Sequence, residues 1–530
     1  MRATNPKSLL GQLLCGTAFA LASLFAVTAQ AAAPGITGPT FNLSATPAYI
    51  SQPDGTSIYS WGYGCTSAPS GFVPSASQLQ PANGAFCPPM QIPGPTLIVT
   101  QGQTVTVNLT NTLPARAGNT SILFPGFAVT ATGAPGLLTK EAVPGGTATY
   151  TFTASSVGTH AYYSGTQSDL QVEMGLYGAI IVLPGTSANT GPCSNTRNDT
   201  ARGHDFGSGV VETDFRLAPS HAAFDHAAAC YDREYLFQFS ELDPKIHRAA
   251  EAIALCVAAT GVPCPPNMNA VETEPYSPAY FMINGRSMPD NMDPNYAVQY
   301  PRQPYNGNPH MHPGELTLVR IIGQGRWQHP FHEHGNHVRV LARDGNLLLS
   351  KTDATKLSGP LLFTTTTTPG QAMDGIFLWT GKGLNWDVFG HGYDGDTTQC
   401  APDANGYHSV PTDPNYYEWC GDHGKALESR PFGQVGSGGP VTLPDPNIVA
   451  NGPWYAGSPY FGGEAMVRAV GSTPIPPSGT VANSPTDEAG FAFMWHSHNE
   501  REITTNNIFP GGMLMMMLVD PRAFVIDESK

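Results

Sequence analysis

The segment Gln328-His329-Pro330-Phe331-His332-Glu333-His334-Gly335-Asn336-His337 sets four histidines within nine residues, and Met494-Trp495-His496-Ser497-His498-Asn499-Glu500-Arg501-Glu502 adds two more. Neutral imidazoles gathered at one point suit copper or zinc. On a β-strand successive side chains alternate between faces, so each His-x-His pair presents two imidazoles on one side. If two such strands lie side by side, His332, His334, His496 and His498 converge. Glu333, Glu500 and Glu502 sit among them as candidate carboxylate ligands or hydrogen-bonded partners of the ligands. Glu500 and Glu502 are also the candidate proton acceptors for chemistry at such a centre. A mixed nitrogen and carboxylate set admits zinc, manganese or iron beside copper. The bland alternative is a set of histidines that hydrogen-bond to each other and to Glu333 or Glu500 without metal.

Nearer the N-terminus, Pro93-Gly94-Pro95-Thr96-Leu97-Ile98-Val99, Gly102-Gln103-Thr104-Val105-Thr106-Val107, Gly158-Thr159-His160-Ala161-Tyr162-Tyr163-Ser164-Gly165 and Gly175-Leu176-Tyr177-Gly178-Ala179-Ile180-Ile181-Val182 extend the pattern. With the histidine motifs, these stretches resemble the multicopper oxidases, the family of laccases and related enzymes, over most of the chain. The family carries H-P-x-H-L-H-G-H and H-C-H-x-x-x-H in its last domain, with H-W-H-G and H-S-H in its first. The resemblance implies cupredoxin-type domains, copper as cofactor and oxidoreductase chemistry. It also assigns His329, His332, His334, His496 and His498 to ligand positions.

Several positions depart from the family pattern. Leu123-Phe124-Pro125-Gly126 stands where H-W-H-G is expected, and Tyr163-Ser164-Gly165 where H-S-H is expected. Ser497 replaces the cysteine whose thiolate makes a blue-copper site fast in electron transfer, and Glu502 replaces the last histidine. Ordinary laccase chemistry, in which several coppers reduce dioxygen to water, is therefore not expected. A smaller site with one or two metals is. Tyr162 and Tyr163 are expected to fill the space left by the first-domain ligands, the alternative being that one is a redox or hydrogen-bonding group facing the metal. His337 falls one residue past the family position, and a one-residue shift on a strand reverses facing. Met513, Met515, Met516 and Met517 crowd the last strand and read as core rather than ligand. His310-Met311-His312 is a weaker copper-capturing motif.

A chain of 530 residues exceeds one ordinary domain. Charged residues are only 12%, with 58 glycines and 49 prolines, as expected of short strands joined by many turns. Arg2 and Lys7, an apolar run from Leu9 to Val27 and the Ala29-Gln30-Ala31 site read as a secretory signal over 1–31. Its removal takes the net charge from -15 to -17. So acidic a chain argues against nucleic acid or an anionic membrane as partner. The expected partners are a metal ion and a small-molecule substrate, with a periplasmic or extracellular location. Eight cysteines remain after the signal, an even number that points to disulfides. Proximity suggests Cys65–Cys87, Cys256–Cys264, Cys400–Cys420 and Cys193–Cys230.

The elements that must position the histidines read as all-β: tandem cupredoxin-type Greek-key β-sandwich domains, the second with a long insertion. The first spans 40–185, a polar linker 186–225, and the second 226–525 with the insertion at about 383–485. Ile246 to Ala259 reads as a short helix, and a third domain within 383–485 is the main alternative. Two-domain relatives often form trimers, so a homo-trimer is a further expectation of the resemblance. Three functions are carried forward: a copper-dependent oxidoreductase with a reduced His-rich site, a non-catalytic copper-binding or copper-buffering protein, and a metal-free structural or interaction protein.

Overall fold

The computed structural model describes residues 33–69, 71–73, 87–185, 214–382, 401–410, 417–419, 421, 457–461, 489–520 and 526. The expected signal over 1–31, the 186–213 part of the linker, most of the 383–485 insertion, and the pairings Cys193–Cys230 and Cys400–Cys420 lie outside them.

The first sandwich has two five-stranded sheets. One runs Gly158–Tyr163, Tyr177–Leu183, Leu97–Thr100, Gly35–Thr37, Phe72–Val73; the other runs Ser57–Cys65, Thr40–Ser51, Thr104–Asn111, Thr147–Thr153, Thr130–Thr132. The period-two pattern of Thr104–Asn111 turns Val105, Val107 and Leu109 inward and leaves Thr104 exposed and Thr106 and Thr110 half-covered. Tyr162 is wholly buried in this core and its hydroxyl donates to the Pro95 carbonyl at 2.7 Å. Filling, the role expected of it, is what it does.

The second sandwich pairs a sheet built on Leu217–Ala222, Cys230–Leu242, Leu316–Gly323, Ala372–Leu378, Val338–Arg343 and Asn346–Leu347 with one built on His310–Met311, Leu514–Val519, Ala489–Ser497, His329–Glu333 and Thr364–Thr367. Their shared core holds Phe237, Phe239, Phe331, Trp495, Met513, Met515 and Met517, so the methionines are packing residues. Cys230–Leu242 is buried at every position because both its faces are covered. Tyr235, Phe237 and Phe239 turn toward its own core. Glu234, Gln238 and Ser240 turn toward the first sandwich, where Ser240 Oγ accepts from Tyr177 at 2.7 Å and Gln238 meets Gln324.

The Ala-rich helix forms as Pro244–Ala254, ending earlier than its periodicity suggests. Asp243 caps it by accepting from the Lys245 amide at 2.9 Å, and proline fills the first turn, where its missing N–H costs nothing. Ile246, Ala250 and Ile253 join the core of the first sandwich. Cys65–Cys87 and Cys256–Cys264 are bonded as expected.

Candidate metal centre

Two antiparallel neighbours build the site. His329–Glu333 pairs with Ala489–Ser497 in the register Phe331↔Ser497, His332↔His496, Glu333↔Trp495. The ladder continues past the strand ends, where the His334 amide bonds to the Met494 carbonyl and the His498 amide to that of Pro330. His332 and His496 are therefore directly opposite, and His334 and His498 follow on the same face by the pleat.

The rings close on one another. Centroids of His332 and His334 are 4.9 Å apart, those of His332 and His498 4.7 Å, and those of His334 and His496 5.2 Å. One nitrogen each from His332, His334 and His496 lies within 4.8 Å of the other two. His334 Nε2 and His496 Nε2 are 3.2 Å apart, about the spacing of two donors bound at roughly 2 Å to one ion. These three are buried, and His498 is exposed at the rim.

Protonation and orientation suit a ligand role. Burial, reinforced by the imidazoles of His334, His498 and His496, pushes His332 down to about 3. Burial also lowers His496. Both rings are neutral at pH 7 and keep a lone pair. His332 Nδ1 is 2.6 Å from Thr364 Oγ1, and His496 Nδ1 donates to the Ser497 carbonyl at 2.7 Å, leaving the Nε2 atoms to face the cluster. Orienting bonds of this kind fix the tautomer of metal-bound histidine. The donor set fits a copper or zinc ion.

The other candidates fall elsewhere. His329 has the parity of Phe331 and Glu333, so it points into the sandwich, away from His332 and His334. There it lies between Glu502 and Glu241, Nδ1 2.8 Å from the one and Nε2 2.9 Å from the other. With acceptors on both nitrogens it offers no lone pair to a metal, which corrects its assignment as a ligand. Glu333 is turned inward by the same alternation. Burial drives its carboxyl well above the usual range, and Thr365 Oγ1 donates to it at 2.8 Å. Glu502 is buried and engaged by His329, Ser497 and Asn499. Glu500 is exposed, 4.0 Å from His498 Nδ1. His337 meets Phe363 edge-on outside the group. His310 Nδ1 lies 2.6 Å from Asp520, and His312 Nδ1 bonds to the Asp520 carbonyl, tying two strands together.

Sequence reading missed Thr364, Glu241 and Tyr276. A carboxylate closing the apolar run Tyr235-Leu236-Phe237-Gln238-Phe239-Ser240-Glu241 was the one available signal for Glu241. In the first sandwich Leu123 and Tyr163 form an isolated bridge, so the two segments expected to carry first-domain ligands do meet, with leucine and tyrosine in place of histidine.

Fold and site together define a tandem cupredoxin-type protein with clustered imidazoles on the outer face of its second sandwich. Residues 83–187 match the multicopper oxidase family model. Multicopper oxidase MCE of Talaromyces pinophilus is 37% identical over 98 residues, which is 18% of this chain and 15% of that relative's length. Among solved structures, the multicopper oxidase mgLAC has a TM-score of 0.42 at 15% identity, covering 92% of this chain and 87% of that one. The blue copper oxidase of Nitrosomonas europaea has a TM-score of 0.41 at 15% identity, covering 90% and 85%. The family match thus lies within the first sandwich, over residues 83–187, and that family implies copper.

Proposed function

We propose that the protein is an exported copper-dependent oxidoreductase whose single copper centre is built from His332, His334 and His496, with His498 at its open side. The observation that carries this reading is the convergence of three buried imidazoles on one point, two of them, His332 and His496, held neutral by burial. Bound there, copper would supply one-electron redox chemistry or activate a small molecule. Thr364 and the Ser497 carbonyl orient the rings that would hold it. His498, exposed and within reach of Glu500, is the group that moves a proton between solvent and a molecule bound at the rim. Paired cysteines and the N-terminal apolar run support export.

Without the thiolate and the first-domain histidines, laccase turnover through several coppers has no support. The same losses favour a second reading, copper binding without turnover. Metal analysis of the purified mature protein beside a His332→Ala/His496→Ala variant tests both. We expect one copper per chain, lost in the variant. Copper bound equally by both proteins, or by neither after loading, would reject the site. Turnover of a reductant by the loaded wild type then separates oxidase from buffer.

A further inference from the structure

The side of the sheet opposite the histidine cluster carries an arrangement that copper binding does not explain. The His329 ring is fully buried and held edge-on between two carboxylates from different elements. Each carboxylate is fixed independently. Glu241 Oε1 accepts the amides of Arg326 at 2.6 Å and Trp327 at 2.8 Å, and the Tyr276 hydroxyl at 3.3 Å. Glu502 accepts from Ser497 Oγ and, at 2.9 Å, from Asn499 Nδ2. Each ring nitrogen meets a carboxylate oxygen, Nδ1 that of Glu502 at 2.8 Å and Nε2 that of Glu241 at 2.9 Å, and a ring that donates to both carries a proton on each nitrogen.

We propose that His329 is a positioning residue for the metal site: a buried imidazolium that braces the strand carrying His332 to the turn that follows His498, through Glu502, and braces both to the opposite sheet through Glu241. The brace acts where precision matters, because a pair of imidazoles from each strand must meet across the ladder. A side chain at 329 that cannot donate to both Glu241 and Glu502 leaves a buried carboxyl oxygen without its partner, and the strands part to hydrate it. The groups facing His329 are Glu241 from its strand, Glu502 from its turn and, behind Glu241, Tyr276, Arg326 and Glu173. Its effect on copper rests on the function proposed above; its protonation does not.

The test uses His329→Gln and Glu241→Gln in the full chain, with circular dichroism as a fold check. In metal-free wild type, nitrogen-15 NMR at pH 7 is expected to find both His329 ring nitrogens protonated; a neutral ring would overturn the brace whether or not copper binds. In copper titrations we expect both variants to keep one copper per chain, with affinity lowered about tenfold or more and an altered Cu(II) paramagnetic resonance spectrum. Copper lost outright in His329→Gln but kept in Glu241→Gln would make His329 a ligand and overturn the proposal. Unchanged affinity and spectrum in both variants would make the brace a bystander. A wild type that takes up no copper would reject the functional reading and the positioning role, with the NMR result still standing for the imidazolium.

Discussion

At the scale of single residues, His329 and Glu173 set a pH signature. Hydrogen bonds and charge from Glu241 and Glu502 outweigh burial at His329 and lift it to about 9. Burial lifts Glu173 to about 8 despite donors from Tyr276 and the Asp243 amide. Both folded values lie above the ordinary ones, so both groups contribute stability that is present at low pH and lost as pH rises through the folded value. For His329 the contribution is full below about 6.5 and fades toward 9; for Glu173 it fades between about 4.5 and 8. The His329 term is on the order of 3 kcal/mol. Urea unfolding should therefore register falling stability from pH 6 to pH 9, with a shallower fall in His329→Gln. Glu173→Gln should raise the midpoint at pH 8 relative to wild type and not at pH 4. A flat profile in the wild type would contradict both assignments.

At the scale of elements, the strands that face the first sandwich are joined to it by a buried ionic knot. Arg320 on Leu316–Gly323 meets Glu234 at 2.7 Å and Asp374 at 2.9 Å. Asp374 in turn accepts from Thr159 Oγ1 at 2.6 Å, on the strand Gly158–Tyr163 of the first sandwich. All four side chains are buried. Removing the cation strands two carboxylates, so Arg320→Met should cost about 3–5 kcal/mol in chemical denaturation. A cost under about 1 kcal/mol would mean water reaches the knot. The histidine strands illustrate the same dependence on pairing. Their parity was legible residue by residue, and alternation alone separates His329 and Glu333 from His332 and His334. A motif match to ligand positions hides that separation, because it compares spacing and not facing.

At the scale of the whole molecule, the two sandwiches share more than a linker. The helix Pro244–Ala254 enters the first core, and His247 Nε2 bonds to the Glu173 carbonyl at 3.0 Å. At the turn Asn284-Gly285, a Cβ on Gly285 would lie 2.3 Å from the Ile92 carbonyl oxygen, so only glycine permits that approach at a φ of +82°. An interface this closely fitted couples the domains. We expect one calorimetric transition for both, and two resolved transitions would refute the coupling.

The sequence by itself determined the β class, two of the disulfides and the histidine face, because these follow from local pattern: period-two alternation, turn residues, and cysteines close enough along the chain to meet. Tertiary structure decided the rest. Ser497, Glu502, Glu241 and Tyr276 come from separate segments, and nothing in their spacing shows that they surround His329. Whether a buried histidine is ligand or cation depends on which groups the fold brings to its two nitrogens, and that is settled by packing between sheets and not by neighbours along the chain.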